Sequence, residues 1–551
     1  MAKTLRIVAY AVNGAGAGHL QRLTAICRWV RRYSAFCGSA CEVFFLTSSE
    51  ADGFLFHEGF ASFKLPSKTS VTSAGIDKIA YLALAKQWVW HSLGLLRPDV
   101  LLVDTFPNGS FGELVSALDL ARTRVFVYRP VKDDFARRPD FQAMLPLYDR
   151  ILVPEGEETA RVVLPAKVAG AVRFTGPAMV RERVELRSRE EARARFGLPD
   201  VRLAVLVSAG GGGDPTAEAD LRRATRLLLA HDDIQVVLAA GPLYRGARWG
   251  GERVTWISEP ALAEWLPAFD FAVAAAGYNT VLELMHAGVP AVFLPQEKVA
   301  DEQDRRAAAA VAAGAAVMVE GAGERAGLEA AIARFLDAGE RGRASEKARD
   351  LVPRNHARDA AAEVLELVLP AHEVAAAEAA VSDTLLAAAR GLGVAVEGFF
   401  ELVHALVPSV AATTGTRSER RPESAAADAA ASLARRAVEI GVPPIHVLKL
   451  LVPLQKRLLR GGLAERLAGA GRILAALEPF SEWGAALHLV RSLGPSREAT
   501  AADVAAEVEA FVGTFGGEPG GLARAVAALA AAETGDPRSL RALVGGRGPR
   551  G

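Results

Sequence analysis

Cysteine is scarce: Cys27, Cys37 and Cys41 are the only three in 551 residues. That excludes a disulfide framework. Cys37 and Cys41 stand four apart, but no second Cys/His pair is spaced to complete a zinc site. The three are expected as buried free thiols in a reducing compartment. An excess of either charge is also lacking, with 64 basic residues against 64 acidic. This gives no support for nucleic acid as a partner. Long hydrophobic runs are absent too. The nearest, "IAYLALAKQWVWHSLGLL" (79–96), is broken by Lys86, Gln87 and His91. It reads as a core helix, with contact to lipid as the lesser alternative. The first residues show no signal-peptide pattern, only one Lys before a strand, so a cytoplasmic location is expected.

What is present is an alternation. Apolar content is 51 %, and the length calls for two to four domains. Short runs rich in Val, Ile and Phe recur: "LRIVAYAV", "CEVFFL", "DVLLVD", "RVFVYR", "RILVPE" and "VRFTGPAM". Longer helical patterns separate them. This is the signature of βαβ units on a buried parallel sheet. The series restarts after a short helix capped by Ser188 with Glu191 and stopped at Gly197, with "RLAVLVS", "IQVVLAA", "RVTWIS", "FAVAAA", "PAVFLP" and "AAVMVE". The expected fold class is α/β, with two Rossmann-like domains at 1–178 and 179–372. Ligands of such sheets bind at the carboxyl ends of the strands, so a cleft between the two is expected. From 375 to 551 the chain turns Ala-, Leu- and Arg-rich, without strand signals. It reads as a helical appendage with a polar connector at 413–428. The segment 445–477, with Lys449, Lys456, Arg457 and Arg460 among leucines, reads as a helical core with a basic face. Docking on a protein partner or an acidic membrane is the alternative.

Three loops are candidates for anion binding. In "VNGAGAGHLQRL" a strand runs into Gly14, Gly16 and Gly18, then His19 and Arg22. A dinucleotide fingerprint would place its third glycine one residue later. It would also end the second strand on an acid, where Thr47, Ser48 and Ser49 precede Glu50. In "VSAGGGGDP" (207–215) four glycines let the backbone present N–H groups. In "AAAGYNTVLEL" a strand ends, and Gly277, Tyr278, Asn279 and Thr280 open a helix whose free N–H groups suit a diphosphate. Glu283, one turn in, can accept both hydroxyls of a ribose.

The stretch "GYNTVLELMHAGVPAVFLP…DEQ…A…GAA" resembles the donor-binding half of glycosyltransferase family 28. "GAGAGHLQR" and "VLVSAGGGGD" resemble the family's two glycine loops, so the resemblance covers about residues 4–370 in motif order. It implies a GT-B fold and a nucleotide-diphosphate sugar as donor, with uridine as the expected base. By motif position, Glu283 would hold the ribose. Gly277 to Thr280, with Ser208, Gly210 and Gly211, would cradle the diphosphate. Ile257 would meet the base through its backbone. Glu302 and Gln303 would face the sugar. The family has paired glutamines at the last two places, and Glu302 departs from that.

Residue types then suggest a mechanism. Transfer to an acceptor hydroxyl needs a base, and His19 titrates near neutrality. Asp104, ending "DVLLVD", would orient it or else cap the segment that follows. Arg22 would meet an acceptor phosphate or form a surface ion pair. Glu113 reads as a solvated first-turn acid, and Asp133 and Asp134 as loop acids on the acceptor side. The chain has no Asp-x-Asp triplet, so metal-independent, inverting transfer of a hexose or N-acetylhexosamine is expected, without a cofactor. The acceptor would be a small molecule or lipid-linked, the latter with peripheral contact at the inner face of a membrane. A nucleotide-sugar 2-epimerase and a non-catalytic nucleotide-sugar sensor are the alternatives on this fold.

Overall fold

The computed structural model describes residues 4–381, less 13–16, 38, 111, 201, 299–300 and 320–324, with single positions up to 396. Gly14 and Gly16 therefore lie outside the described residues. So do the connector at 413–428, the segment 445–477 and nearly all of the expected appendage. A division into compact units falls at Ala371, and Arg32–Ala40 group with the residues beyond it. The unit of residues 1–31 and 41–371 holds both sheets and the cleft described below.

Every apolar run in the two series became a parallel strand. The first sheet contains β1 (Leu5–Ala11), β2 (Cys41–Thr47), β3 (Ala61–Lys64), β4 (Val100–Asp104), β5 (Thr123–Val127), β6 (Arg150–Val153) and β7 (Val172–Phe174). Their order is β3-β2-β1-β4-β5-β6-β7. The second contains β8 (Leu203–Ser208), β9 (Ile234–Ala239), β10 (Val254–Trp256), β11 (Phe271–Ala274), β12 (Ala291–Phe293) and β13 (Ala316–Met318), in the order β10-β9-β8-β11-β12-β13. Both are doubly wound, and two such domains facing a cleft are the GT-B architecture. β3 has no counterpart in the sequence reading. It is an edge strand, "ASFK", largely exposed and without an apolar run.

The strand order reverses its sense between β1 and β4 in one sheet and between β8 and β11 in the other. Loops diverge there and leave a crevice at the carboxyl ends. Helix α1 (Gly18–Phe36) follows β1, α2 (Lys78–Leu96) precedes β4, and α3 (Ala217–Leu228) and α4 (Tyr278–Ala287) follow β8 and β11. The run at 79–96 is α2, which buries Tyr81, Ala85, Val89 and Leu93 against the first domain. The strand interiors are fully buried, for example Val103, Val205 and Phe271 at 0 % exposure. Each such aliphatic or aromatic side chain contributes roughly 1.5–3 kcal/mol on burial.

The chain crosses between domains twice. It leaves the first domain at Gly176 and returns through Asn355. The Asn355 amide clasps the two crossings: its oxygen accepts from Met179 N at 3.0 Å, and its nitrogen donates to Met179 O and to Glu182, both at 2.9 Å. Gly176 has φ +82°, and a Cβ there would stand 2.7 Å from the His356 ring. After the return, helix α5 (Ala357–Leu365) lies against the first domain, where Glu363 pairs with Arg150 and Arg173.

The thiol expectation is corrected in part. Cys27 is buried, but Cys37 and Cys41 are only partly so.

Candidate active site

A cleft of about 790 Å³ opens between the two domains at both switch points. That is within the range of small-ligand sites. Its walls include Gly18, His19 and Arg22 from the first domain. From the second come Ser208, Gly210, Gly211, Ile257, Gly277 to Thr280, Glu283 and Gln303.

On the first-domain side, β4 ends at Asp104 and the chain turns sharply. Thr105 adopts φ +62°. A β-branched residue in the left-handed region is strained by about 1–3 kcal/mol. It is held there by Thr105 N–H donating to Val127 O at 3.0 Å. The turn aims Asp104 at α1. Its carboxylate accepts from His19 Nδ1 at 2.5 Å. It also takes Arg22 Nε and Nη2, each at 2.7 Å, and Thr105 Oγ1 at 2.9 Å. Burial acts to raise the Asp104 pKa, but Arg22 and His19 outweigh it and hold the carboxyl well below the usual range. An ionised carboxylate only accepts, so His19 carries its hydrogen on Nδ1 and keeps Nε2 as a lone pair. Burial lowers the His19 pKa, against the pull of Asp104. The imidazole is thus neutral at neutral pH.

Three sequence readings are corrected here, and the alternative left open for Asp104 is decided. Arg22 is not a surface ion pair: it is 1 % exposed, because Asp104 reaches it from 82 residues away. Glu113 is not solvated. It is buried, accepting from the Tyr10 hydroxyl and from Ser110 N at 2.8 Å. Asp104 pairs with His19 rather than capping the next segment. Asp133 and Asp134 are exposed and do not line the cleft.

On the second-domain side, α4 begins at Gly277 with no side-chain cap. Its first N–H groups are left for an outside acceptor, and the helix dipole adds to their pull on an anion. Loop 208–213 ends β8, the neighbour of β11. Gly210 faces Thr280, with 3.9 Å between an ideal Cβ position and Thr280 Oγ1. Ser208 Oγ accepts from Gly210 N at 3.2 Å and so shapes the loop. The glycines are needed for close backbone passage. A Cβ on Gly212 would meet Ala240 O at 2.2 Å, and one on Gly241 would meet Gly210 O at 2.2 Å. Gly241, in "LAAGPLY", is part of this cradle and escaped the sequence reading. A single glycine after a strand carries little signal.

Glu283 is partly buried one turn into α4. Burial pushes its carboxyl up to about 7, with Arg181 opposing and Glu58 reinforcing. Arg181 itself is taken by Glu58 at 2.8 and 2.5 Å and by Glu264 at 2.6 Å. Gln303 is buried and accepts from Gln296 N at 2.9 Å. Ile257 N–H donates to Leu238 O at 2.9 Å, so its carbonyl is the part of that residue left to read a base. Glu302 is corrected: it does not line the cleft and lies 3.5 Å from Arg305. Asp301 stands in the cleft instead, between Arg129 of the first domain and Arg306. Neither Arg129 nor Arg181 was singled out from the sequence. Isolated arginines in loops show nothing until their partners converge.

A doubly wound, two-domain protein with an anion-ready helix terminus opposite a His–Asp pair has the GT-B architecture. More narrowly, residues 259–364 match the glycosyltransferase family 28 C-terminal domain. Curated relatives are UDP-N-acetylglucosamine–N-acetylmuramyl-(pentapeptide) pyrophosphoryl-undecaprenol N-acetylglucosamine transferases. That of Cutibacterium acnes is 36 % identical over 190 residues, 32 % of this chain and 49 % of the relative. That of Salinibacter ruber is 33 % identical over 187 residues, 32 % and 50 % respectively. The matches thus span about half the length of these relatives. Among solved structures, the glycosyltransferase of kitacinnamycin aligns over 67 % of this chain and 100 % of its own, at 18 % identity and TM-score 0.46.

Proposed function

We propose that the protein is an inverting, metal-independent glycosyltransferase. It moves a hexose or N-acetylhexosamine from a nucleoside-diphosphate sugar to an acceptor hydroxyl. The observation that carries this reading is the pairing across one cleft of a neutral, Asp-oriented His19 with the uncapped N-terminus of α4. His19 Nε2 takes the acceptor proton as the acceptor oxygen bonds to the anomeric carbon. The bond from that carbon to the diphosphate breaks in the same step, which inverts the centre. Charge gathers on the departing diphosphate, where the α4 N–H groups and loop 208–213 receive it. Fixed amide dipoles can do this without a cation, and the reaction needs no cofactor beyond its donor. Glu283 accepts the ribose hydroxyls.

The names of the curated relatives support a UDP-sugar as donor and a lipid-linked acceptor, and peripheral contact at the inner face of a membrane is proposed with that acceptor. No helix of the described residues is long and apolar enough to cross a membrane.

The test is calorimetry of the full chain against a panel of nucleotide sugars, with Glu283→Ala alongside. Binding of one UDP- or dTDP-sugar, lost in the variant, is the expected result. A folded protein that binds none of them would defeat the reading.

A further inference from the structure

The side chain of Tyr278 has no part in the reaction just described, which uses only the backbone at that position. Yet it is 6 % exposed and sits at the first turn of α4. Its hydroxyl leaves the second domain and donates to the carbonyl of Pro154, just past β6 of the first, at 2.7 Å. The Arg22 guanidinium lies over its ring, 4.9 Å from the centroid. Arg22 is almost fully buried. Two of its nitrogens hold Asp104, while Nη1 has no hydrogen-bond partner among the described residues. A buried cation with an unmet donor is costly unless something offsets it, and an aromatic face is one such offset. Asp104 in turn fixes the His19 ring. The result is one line of contact, Tyr278 to Arg22 to Asp104 to His19, that begins in one domain and ends in the other.

We propose that Tyr278 is a positioning residue. Docked between Pro154 and Arg22, it makes the orientation of His19 depend on the second domain being seated against the first. The proton acceptor is then armed only in the closed cleft, where a donor is enclosed beside it. An open protein would hold a water-exposed Arg22, a loosened Asp104 and a histidine free to change tautomer. The inference rests on the role given to His19 above. The charged groups that bear on that ring are Arg22 on its own helix, Asp104 at the end of β4 and Arg129 after β5.

The experiment is NMR of isotope-labelled histidine in the full, ligand-free chain, with His19 assigned through His19→Gln. In the wild type the Nδ1–H tautomer predominates, and the ring titrates below the ordinary histidine range. Tyr278→Phe keeps the aromatic face and leaves both properties unchanged. Tyr278→Leu removes it. Water then reaches Arg22 and Asp104, the titration midpoint rises towards the ordinary value, and the Nδ1–H tautomer loses its predominance. Tyr278→Met, which fills the space without an aromatic face, gives the same result and stands in should the Leu variant not fold. A folded Leu or Met variant with wild-type midpoint and tautomer overturns the proposal. Calorimetry with UDP on the same samples reads the donor site separately. Failure of UDP to bind the wild type would count against the transferase reading and leave the histidine result to be judged by itself.

Discussion

His19 and Glu283 are both displaced by burial, in opposite directions of charge. His19 works as a base only when neutral, and burial favours that form. The acid limb of kcat/KM is therefore expected below the ordinary histidine value of about 6.5. His19→Ala is expected to lower transfer by roughly 10²–10⁴ while donor affinity stays the same, a split that steady-state rates and calorimetry together resolve. Glu283 is the reverse case. Its folded value of about 7 lies above the unfolded carboxyl value. Its contribution to stability is therefore fully present at low pH and is lost as pH rises through that value. Glu283→Gln removes the penalty. Thermal melts of the ligand-free protein should show no difference from wild type near about pH 3.5, below the unfolded carboxyl value, and a higher melting temperature for the variant near about pH 8. The place of both residues in the cleft was legible in the sequence, because a glycine loop after a strand and the first turn of the helix that follows stand at a strand's carboxyl end. Arg22 was misread for a physical reason. A helical arginine is solvated by default, and only the fold brings a carboxylate from the end of β4 to bury it.

At the level of elements, the strands were plain because buried parallel strands are continuous apolar runs. β3 was not, since an exposed edge of "ASFK" leaves no such trace. The loop after β9 was missed for a related reason. What matters at Gly241 is not a motif but the passage of a second backbone, that of Gly210 and Gly211, within reach of its missing side chain. Backbone cannot give way as a side-chain tip does, and φ is +88° there. Gly241→Ala is expected to destabilise the second domain by about 2 kcal/mol or more. It should also weaken nucleotide binding, because loop 208–213 must move. Gly250→Ala, where nothing crowds the Cβ, is the control. Equal melting temperatures and nucleotide affinities for the two variants would refute the account.

Across the whole molecule, ion pairs bridge the cleft, among them Arg129 with Asp301 and Arg181 with Glu58. Burial would raise Asp301, but Arg129 and Arg306 keep it ionised far below its usual range. Removing one partner of a buried pair costs about 3–5 kcal/mol when the other stays buried. Asp301→Asn gives Arg129 a reason to seek water, and opening the cleft is the way to reach it. Small-angle scattering of the variant should show a larger radius of gyration than wild type, and adding Arg129→Met should restore the compact value. An unchanged radius in Asp301→Asn would mean that the apolar and tyrosine contacts suffice to keep the domains seated.

The return of the chain through Asn355 has a consequence for how the protein is made. The first domain receives Glu363 only after the whole second domain has been synthesised. A nascent chain emerging to residue 178 thus carries a complete sheet whose outer face still waits for its covering helix. The second domain therefore folds as an insertion between two parts of the first. A fragment ending at 178 is expected to be poorly soluble, and supplying residues 353–371 as a separate peptide is expected to rescue it.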